Sequence, residues 1–378
     1  MMSIKAETSF SLKDDLFNKE TLAAFSARIA SVCPGFRRAR FEKETLQRFG
    51  ELELKERVNW MVEKLATHLP DEFSKALAIL ERALPEPLDP DKTDDDFGTF
   101  IWIVPGEYVA RFGCSEQHLE ASLSFLREAT KRCSSESAIR PFLNAFPQQT
   151  LDFVRTCARD EQYHVRRLAS EGIRPLLPWA QRVTLPFAQI VEVLDQLHGD
   201  RTRYVTRSVA NALNDISKTD ADLVMRTLKR WRKAKRQSPA ELGWMTRHAL
   251  RTLLKRDHLP ALELLGYPAQ PAVTLSQLKC SSKVNVGDSF ACSFHLRSQA
   301  HQNLFVALRI HFLKSNGALA PKLFIVKKVE LADGEGIDLA QEQSFRPMTT
   351  RVLYPGLHKA QVVVNGQVFA TTEFELVP

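Results

Sequence analysis

The sequence predicts a mainly α chain, a solenoid of paired helices followed by an all-β sandwich. Three observations carry that prediction. Apolar residues recur at three- and four-residue spacings from position 13 to 265. A block of text repeats inside that stretch, and after Tyr267-Pro268-Ala269-Gln270-Pro271 the period changes to alternation.

Helical period is clearest over Leu52 to Leu69 and Leu119 to Thr130. Pro85 to Asp96 holds too many prolines and like charges to continue a helix, so it reads as a loop between an acidic and a basic helical part. Farther on, Asp160-x4-Val165-x-Arg167-x-x-Ser170 returns as Asp200-x4-Val205-x-Arg207-x-x-Ala210 and in part as Met245-x-Arg247-x-x-Leu250. A period near 40 residues is that of HEAT-like helix pairs, which bury apolar stripes on their neighbours and line up equivalent polar positions on one face. The alternating region supplies candidate strands at Val273 to Leu278, Ser289 to Leu296, Leu304 to Phe312, Lys322 to Leu331, Ser344 to Val352, Lys359 to Val364 and Gln367 to Leu376. Asn365-Gly366 reads as a tight hairpin turn between the last two. Strands this short and this many match an immunoglobulin-like sandwich. The expected division is a HEAT-like domain over 1–268 and an immunoglobulin-like domain over 269–378.

Composition excludes several classes. With 44% hydrophobic and 26% charged residues in 378, the chain is not disordered as a whole. No apolar run approaches the roughly 18 residues of a membrane span, and Met1 to Leu12 lacks an apolar signal core, so a cytoplasmic location away from membranes is expected. Six cysteines without a C-x-x-C pair predict buried free thiols, Cys280 and Cys292 among them as core residues. The ten histidines are scattered and Gly334-Glu335-Gly336 reads as a turn, so neither a metal nor a cofactor is expected.

The net charge of +7 is unevenly placed: −4 over residues 1–100, +8 over 101–270 and +3 over 271–378. Within the basic part, helical spacing puts Arg167, Glu171 and Arg174 on one face, then Arg207, Asn211 and Asn214, then Arg247, Arg251 and Lys255. Arg132, Glu136 and Arg140 reproduce the pattern one repeat earlier. The stacked result is a basic stripe, flanked by Arg166 and Arg203, that suits DNA phosphates. Two carboxylates, Glu136 and Glu171, interrupt it. Held among cations they stay ionised and can stabilise a developing cation or orient a water. The bland alternative is a set of exposed ion-pair ladders worth roughly 0.2–0.5 kcal/mol per pair, an alternative weakened by recurrence at matching repeat positions.

Glu51-Leu52-Glu53-Leu54-Lys55-Glu56-Arg57-Val58, Tyr108-Val109-Ala110-Arg111-Phe112-Gly113, Ser135-Glu136-x-Ala138-Ile139-Arg140-Pro141-Phe142, Val165-Arg166-Arg167-Leu168-Ala169-Ser170-Glu171-Gly172 and Arg207-Ser208-Val209-Ala210-Asn211-x-Leu213-Asn214-Asp215 resemble the AlkC family of bacterial alkylation-repair DNA glycosylases. The resemblance spans about residues 10–267, and the β region is similar to the immunoglobulin-like appendage of one branch. It implies a monofunctional N-glycosylase, acting as a monomer on double-stranded DNA, that removes 3-methyladenine and 3-methylcytosine in base excision repair without flipping the base into a pocket.

Such bases are already cationic leaving groups and need no general acid. What remains is to stabilise an oxocarbenium-like sugar and to position water, tasks that carboxylates perform in glycoside hydrolysis. Glu136 and Glu171 are the expected catalytic pair. The related AlkD branch carries a tryptophan at its site; Asn211 falls where one would be expected, and Trp102, Trp179 and Trp244 are the substitutes considered. The rival reading is a non-catalytic HEAT-repeat scaffold that binds nucleic acid or protein.

Overall fold

The computed structural model describes residues 11–92, 98–348 and 352–378. Helices run from Leu12 to Leu264 and strands from Val273 to Val377. The predicted loop is irregular over Pro85–Lys92, and its remainder, 93–96, lies outside the described residues. No described helix is long and apolar enough to cross a membrane. By packing, the chain separates into two compact units, Met1–Ile216 with Trp231–Pro239, and Ser217–Arg230 with Ala240–Pro378.

In the first unit, caps fix where helices begin. Asn18 Oδ1 accepts the amides of Glu20 and Thr21 and starts the helix Lys19–Val32. Glu56 accepts the Glu53 amide at 2.8 Å, so the helix expected from Leu52 begins at Leu54 and runs Leu54–His68. The repeat is visible in the element order: Pro147–Cys157 pairs with Tyr163–Glu171, and Phe187–Leu197 with Arg203–Ile216, and both members start 40 residues later in the second pair. The second helices of the two pairs pack on each other. At each turn between paired helices an aspartate does two jobs. Asp160 accepts the Gln162 amide and an ion pair from Arg127, while Asp200 accepts the Thr202 amide and an ion pair from Arg166 at 2.5 Å. Trp231, buried, donates from Nε1 to Asp195 at 2.6 Å and stacks on His198. Trp102 is likewise buried, against Phe25.

The second unit contains strands β1 Val273–Cys280, β2 Lys283–Asn285, β3 Ser289–Ser298, β4 Gln302–Leu313, β5 Leu319–Leu331, β6 Gly336–Ser344, β7 Gly356–Val364 and β8 Gln367–Val377. They form a three-stranded sheet, β1-β3-β6, and a five-stranded sheet, β2-β8-β7-β4-β5, around a core that includes Phe290, Leu296, Val306, Ile310, Phe345 and Phe374. Two sequence expectations are corrected here. Strands β2 and β6 are unpredicted and the strand expected over Ser344–Val352 is not one: among its described residues only Ser344 lies in a strand, and 349–351 fall outside the described residues. The text Gly336-Ile337-Asp338-Leu339-Ala340-Gln341 hides its alternation because only Ile337 and Leu339 mark the inner face. Cys280 and Cys292, expected as thiols, pair in register across β1 and β3 and form a disulfide.

Asn365-Gly366 forms the predicted hairpin, with φ of 48° and 84°, both left-handed as a type I′ turn requires. Asn365 is fully buried. Its Oδ1 accepts the Phe305 amide and its Nδ2 donates to the Pro268 carbonyl, which anchors the chain entering the sandwich. Leu254 and Leu262 of the last helices join Phe305 and Ala307 in a small second core. A Cβ at Gly366 would lie 2.5 Å from Leu259 Cδ2 in addition to the left-handed strain. Gly366→Ala is therefore expected to destabilise the second unit by more than about 1 kcal/mol in urea titration of the full chain.

Candidate active site

The site is built at the junction of a turn and two repeat helices. Ser134 to Ile139, which sequence spacing placed on a helix, is instead a turn leading into the helix Arg140–Ala145, with Pro141 in its first turn. Proline belongs at that position, since its ring and missing N–H would break a helix continued through it. The turn delivers Glu136 to Arg167 of the helix Tyr163–Glu171.

Arg167 Nη1 donates to Glu136 Oε2 at 2.6 Å and to Ser134 Oγ at 3.0 Å, and Ser134 donates to the same glutamate oxygen at 2.8 Å. Its Nη2 stands 3.8 Å from Glu171 Oε1, and the guanidinium lies over the Tyr204 ring at 4.4 Å. Arg174 continues the row, with Nη1 on Glu171 Oε1 at 2.5 Å and Nε on Asp215 Oδ2 at 2.9 Å. Charges thus alternate along Glu136, Arg167, Glu171, Arg174 and Asp215. The row carries three carboxylates against two guanidinium groups. Glu136 is its open end, with a side chain 27% exposed against 5% for Glu171 and 2% for Asp215.

Burial works to raise the Glu171 pKa, but Arg167 and Arg174, helped by hydrogen bonds from Ser208 and Arg174, hold it below the ordinary value of 4.5. Burial opposes the Arg167 charge, yet Glu136 and Glu171 outweigh it and raise that pKa; Glu171 and Asp215 do the same for Arg174. Both ion pairs of Glu171 use Oε1, which leaves the Oε2 edge outside them. Glu171 is thus held in its ionised form, with Oε2 buried as well. Among the described residues no group of three or more His, Cys, Asp or Glu is arranged to hold a metal ion.

The structure therefore brings Glu136 and Glu171 together, but it corrects the surface stripe expected around them. Arg140 is fully buried and donates to the carbonyls of Gly172 at 2.7 Å and Gln181; burial and neighbouring Arg174 lower its pKa to about 10. Arg132 is spent on the Pro85 carbonyl and Glu128, and Arg166 on Asp200. Arg167 and Arg174 hold the carboxylates. Arg140 and Arg174 are buried and Arg132, Arg166 and Arg167 half-buried because each meets a carbonyl or carboxylate from another segment, which helical spacing does not reveal. Arg203, Arg207 and Asn211 are half-buried on Arg203–Ile216, and Asn214 is buried there. In the second unit Arg247 and Lys255 are exposed and Arg251 half-buried, and a break at Leu250 ends one helix before Arg251 starts the next. Trp244 stacks on His248.

Three residues escaped sequence reasoning: Asp215, Tyr204 and Ser134. Asp215 was legible as the next four-residue step after Arg207 and Asn211. Behind the site, the Ser137 hydroxyl donates to Glu107 of the helix Ile103–Phe112, whose pKa is raised by burial against the pull of Ser137, Lys55 and Arg111. The segment after Glu171 is held through its carbonyls, by Arg140 at Gly172 and Gln181, by Lys55 at Trp179 and by Asn144 at Arg182.

Arg174→Met leaves Glu171 and Asp215 as buried charges short of a partner, so a loss of about 3–5 kcal/mol in urea denaturation is expected. Because folded Glu171 binds its proton less tightly than the unfolded chain, its ion-pair stability is present above pH 4.5 and lost as pH falls below it. In Glu171→Gln the midpoint of denaturation should therefore decline less steeply on the acid side than in wild type.

Residues 120–253 match the family described as DNA alkylation repair enzyme, and residues 274–378 match the C-terminal Ig-like domain of the uncharacterised protein YhaZ. Over 367 residues the chain is 31% identical to YhaZ of Bacillus subtilis (strain 168), an alignment spanning 96% of this chain and 98% of that protein. Among solved structures it is similar to the Pseudomonas fluorescens alkylpurine DNA glycosylase AlkC bound to DNA containing an abasic-site analogue, with 33% identity, a TM-score of 0.83 and coverage of 98% of this chain and 100% of that one. The chain belongs to the AlkC family of DNA alkylation repair enzymes, in the branch with a C-terminal immunoglobulin-like domain.

Proposed function

We propose that the protein is a monofunctional DNA N-glycosylase that excises cationic N3-methylated bases, 3-methyladenine and 3-methylcytosine, from duplex DNA. The observation that carries this reading is the pair Glu136 and Glu171 on one half-buried arginine, in a chain similar to a glycosylase over nearly its whole length. The methylated base leaves with the electrons of its bond to C1′ and becomes neutral, so no acid is needed. Glu171, kept ionised, is unsuited to donate a proton and suited to stabilise the positive charge that remains on the sugar. Glu136, at the open end of the row, is placed to accept a proton from the water that adds to C1′.

In this reading residues 1–268 form the HEAT-like glycosylase domain and 269–378 the immunoglobulin-like one, and the protein works as a cytoplasmic monomer. Arg203, Arg207, Asn211, Arg247, Arg251 and Lys255 supply DNA contacts, while Asn214, buried, and Arg132, Arg140, Arg166, Arg167 and Arg174 act from within by setting the carboxylates and the repeats that carry them. Trp179, 83% exposed on the segment after Glu171, is the aromatic that supports contact with the base stack; Trp102 is buried.

Single-turnover release of 3-methyladenine from methylated duplex should fall on the order of 100-fold or more in Glu136→Gln and in Glu171→Gln. Wild-type rates in both would remove the catalytic assignment, and binding without base release by the wild type would establish the scaffold reading instead. If the five cations among these contacts each meet a phosphate, log K against log salt should have a slope of roughly −4 to −5. A slope near zero would remove them from the duplex.

A further inference from the structure

Trp179 combines two features that rarely coincide. Its backbone is left-handed at φ 67°, a conformation unfavourable for a bulky side chain, and the residue is 83% exposed. Strain of this kind persists only where surrounding contacts impose it. Here the imposing contact comes from far away in sequence: Lys55 Nζ donates to the Trp179 carbonyl across 124 residues. Lys55 sits in the first turn of the helix Leu54–His68, where a cation opposes the helix dipole, so the helix does not explain it. Nearby, the half-buried carboxylate of Glu107, which feels the Lys55 charge, receives the hydroxyl of Ser137, the residue next to Glu136. On the other side, Arg140 and Asn144 pin Gln181 and Arg182, so the ends of the Trp179 segment are tied to the same wall as Glu136.

Resting on the glycosylase reading, we propose that Lys55 is a positioning residue of that site: it clamps the Trp179 carbonyl and holds the indole outward, in one orientation, for the base stack beside the scissile nucleotide. The ammonium makes no contact with substrate in this scheme. It acts through Trp179 alone, so its effect must vanish when the ring is gone. A purely structural surface lysine would show no such dependence.

The test is a cycle of single-turnover excision from a 3-methyladenine duplex, with thermal midpoints recorded for every variant. Lys55→Met should lower the rate constant on the order of 10- to 100-fold without shifting the midpoint, while Lys55→Arg, which keeps a cationic donor, should stay near wild type. Lys55→Met combined with Trp179→Ala should match Trp179→Ala alone to within about 2-fold. Wild-type excision by Lys55→Met, or losses that multiply in the double variant, would overturn the proposal. A second readout needs no catalysis. The fluorescence anisotropy of Trp179, taken as the difference between each protein and its Trp179→Phe counterpart, should fall in Lys55→Met. Unchanged anisotropy overturns the clamp even if the wild type proves to release no base, an outcome that would by itself count only against the glycosylase reading.

Discussion

The guanidinium of Arg167 is the interaction on which the site depends. It joins the turn that carries Glu136 to its own helix and to the ring of Tyr204 from the next repeat, and it does so by satisfying two carboxylates at once. Burying ionised groups is costly unless each finds a partner of opposite charge with good geometry. The row from Glu136 to Asp215 meets that condition by alternation. The arrangement that keeps Glu171 charged is also the one that fastens neighbouring helix pairs, so the electrostatics of the site and the cohesion of the repeats are a single network.

The same network explains why so many arginines in the middle of the chain are internal. A helical repeat leaves orphan carbonyls and turn carboxylates at every junction between pairs. Arginine reaches them with a rigid fork of five donors, which a lysine cannot reproduce. Arg166 on Asp200 and Arg140 on Gly172 and Gln181 show the pattern. Their number reflects the architecture of the joints as much as any affinity for polyanions.

Much of this was legible in the residues. The change from helical to alternating period near Pro271, the Asn365-Gly366 hairpin and the forty-residue recurrence all follow from local rules of backbone and burial, and they appear in the structure where those rules put them. Glu136 and Glu171 were also legible as a pair, because they occupy matching repeat text. The depth of the surrounding arginines was not, since exposure is decided by segments distant in sequence such as Pro85, Asp200 and Gln181. One misplacement had a visible cue: Pro141 at the start of a helix meant that Glu136 preceded it on a turn. Tyr204 and Asp215 carried no comparable signal of their role beyond their spacing from Arg207.

The sandwich has four edge strands that could recruit strands from another molecule, β1, β6, β2 and β5, and three of them are obstructed, each in its own way. Strand β1 is bolted to its inner neighbour by the disulfide Cys280–Cys292, so it cannot peel off and exchange. Strand β2 is only three residues long, and β5 bears Pro321 with exposed Lys322, Lys327 and Lys328. Proline, lysine and brevity are the usual defences against edge-to-edge aggregation. A cross-link within one sheet adds little to the cohesion of two packed sheets; its physical consequence is to keep an exposed strand from becoming a template for someone else's.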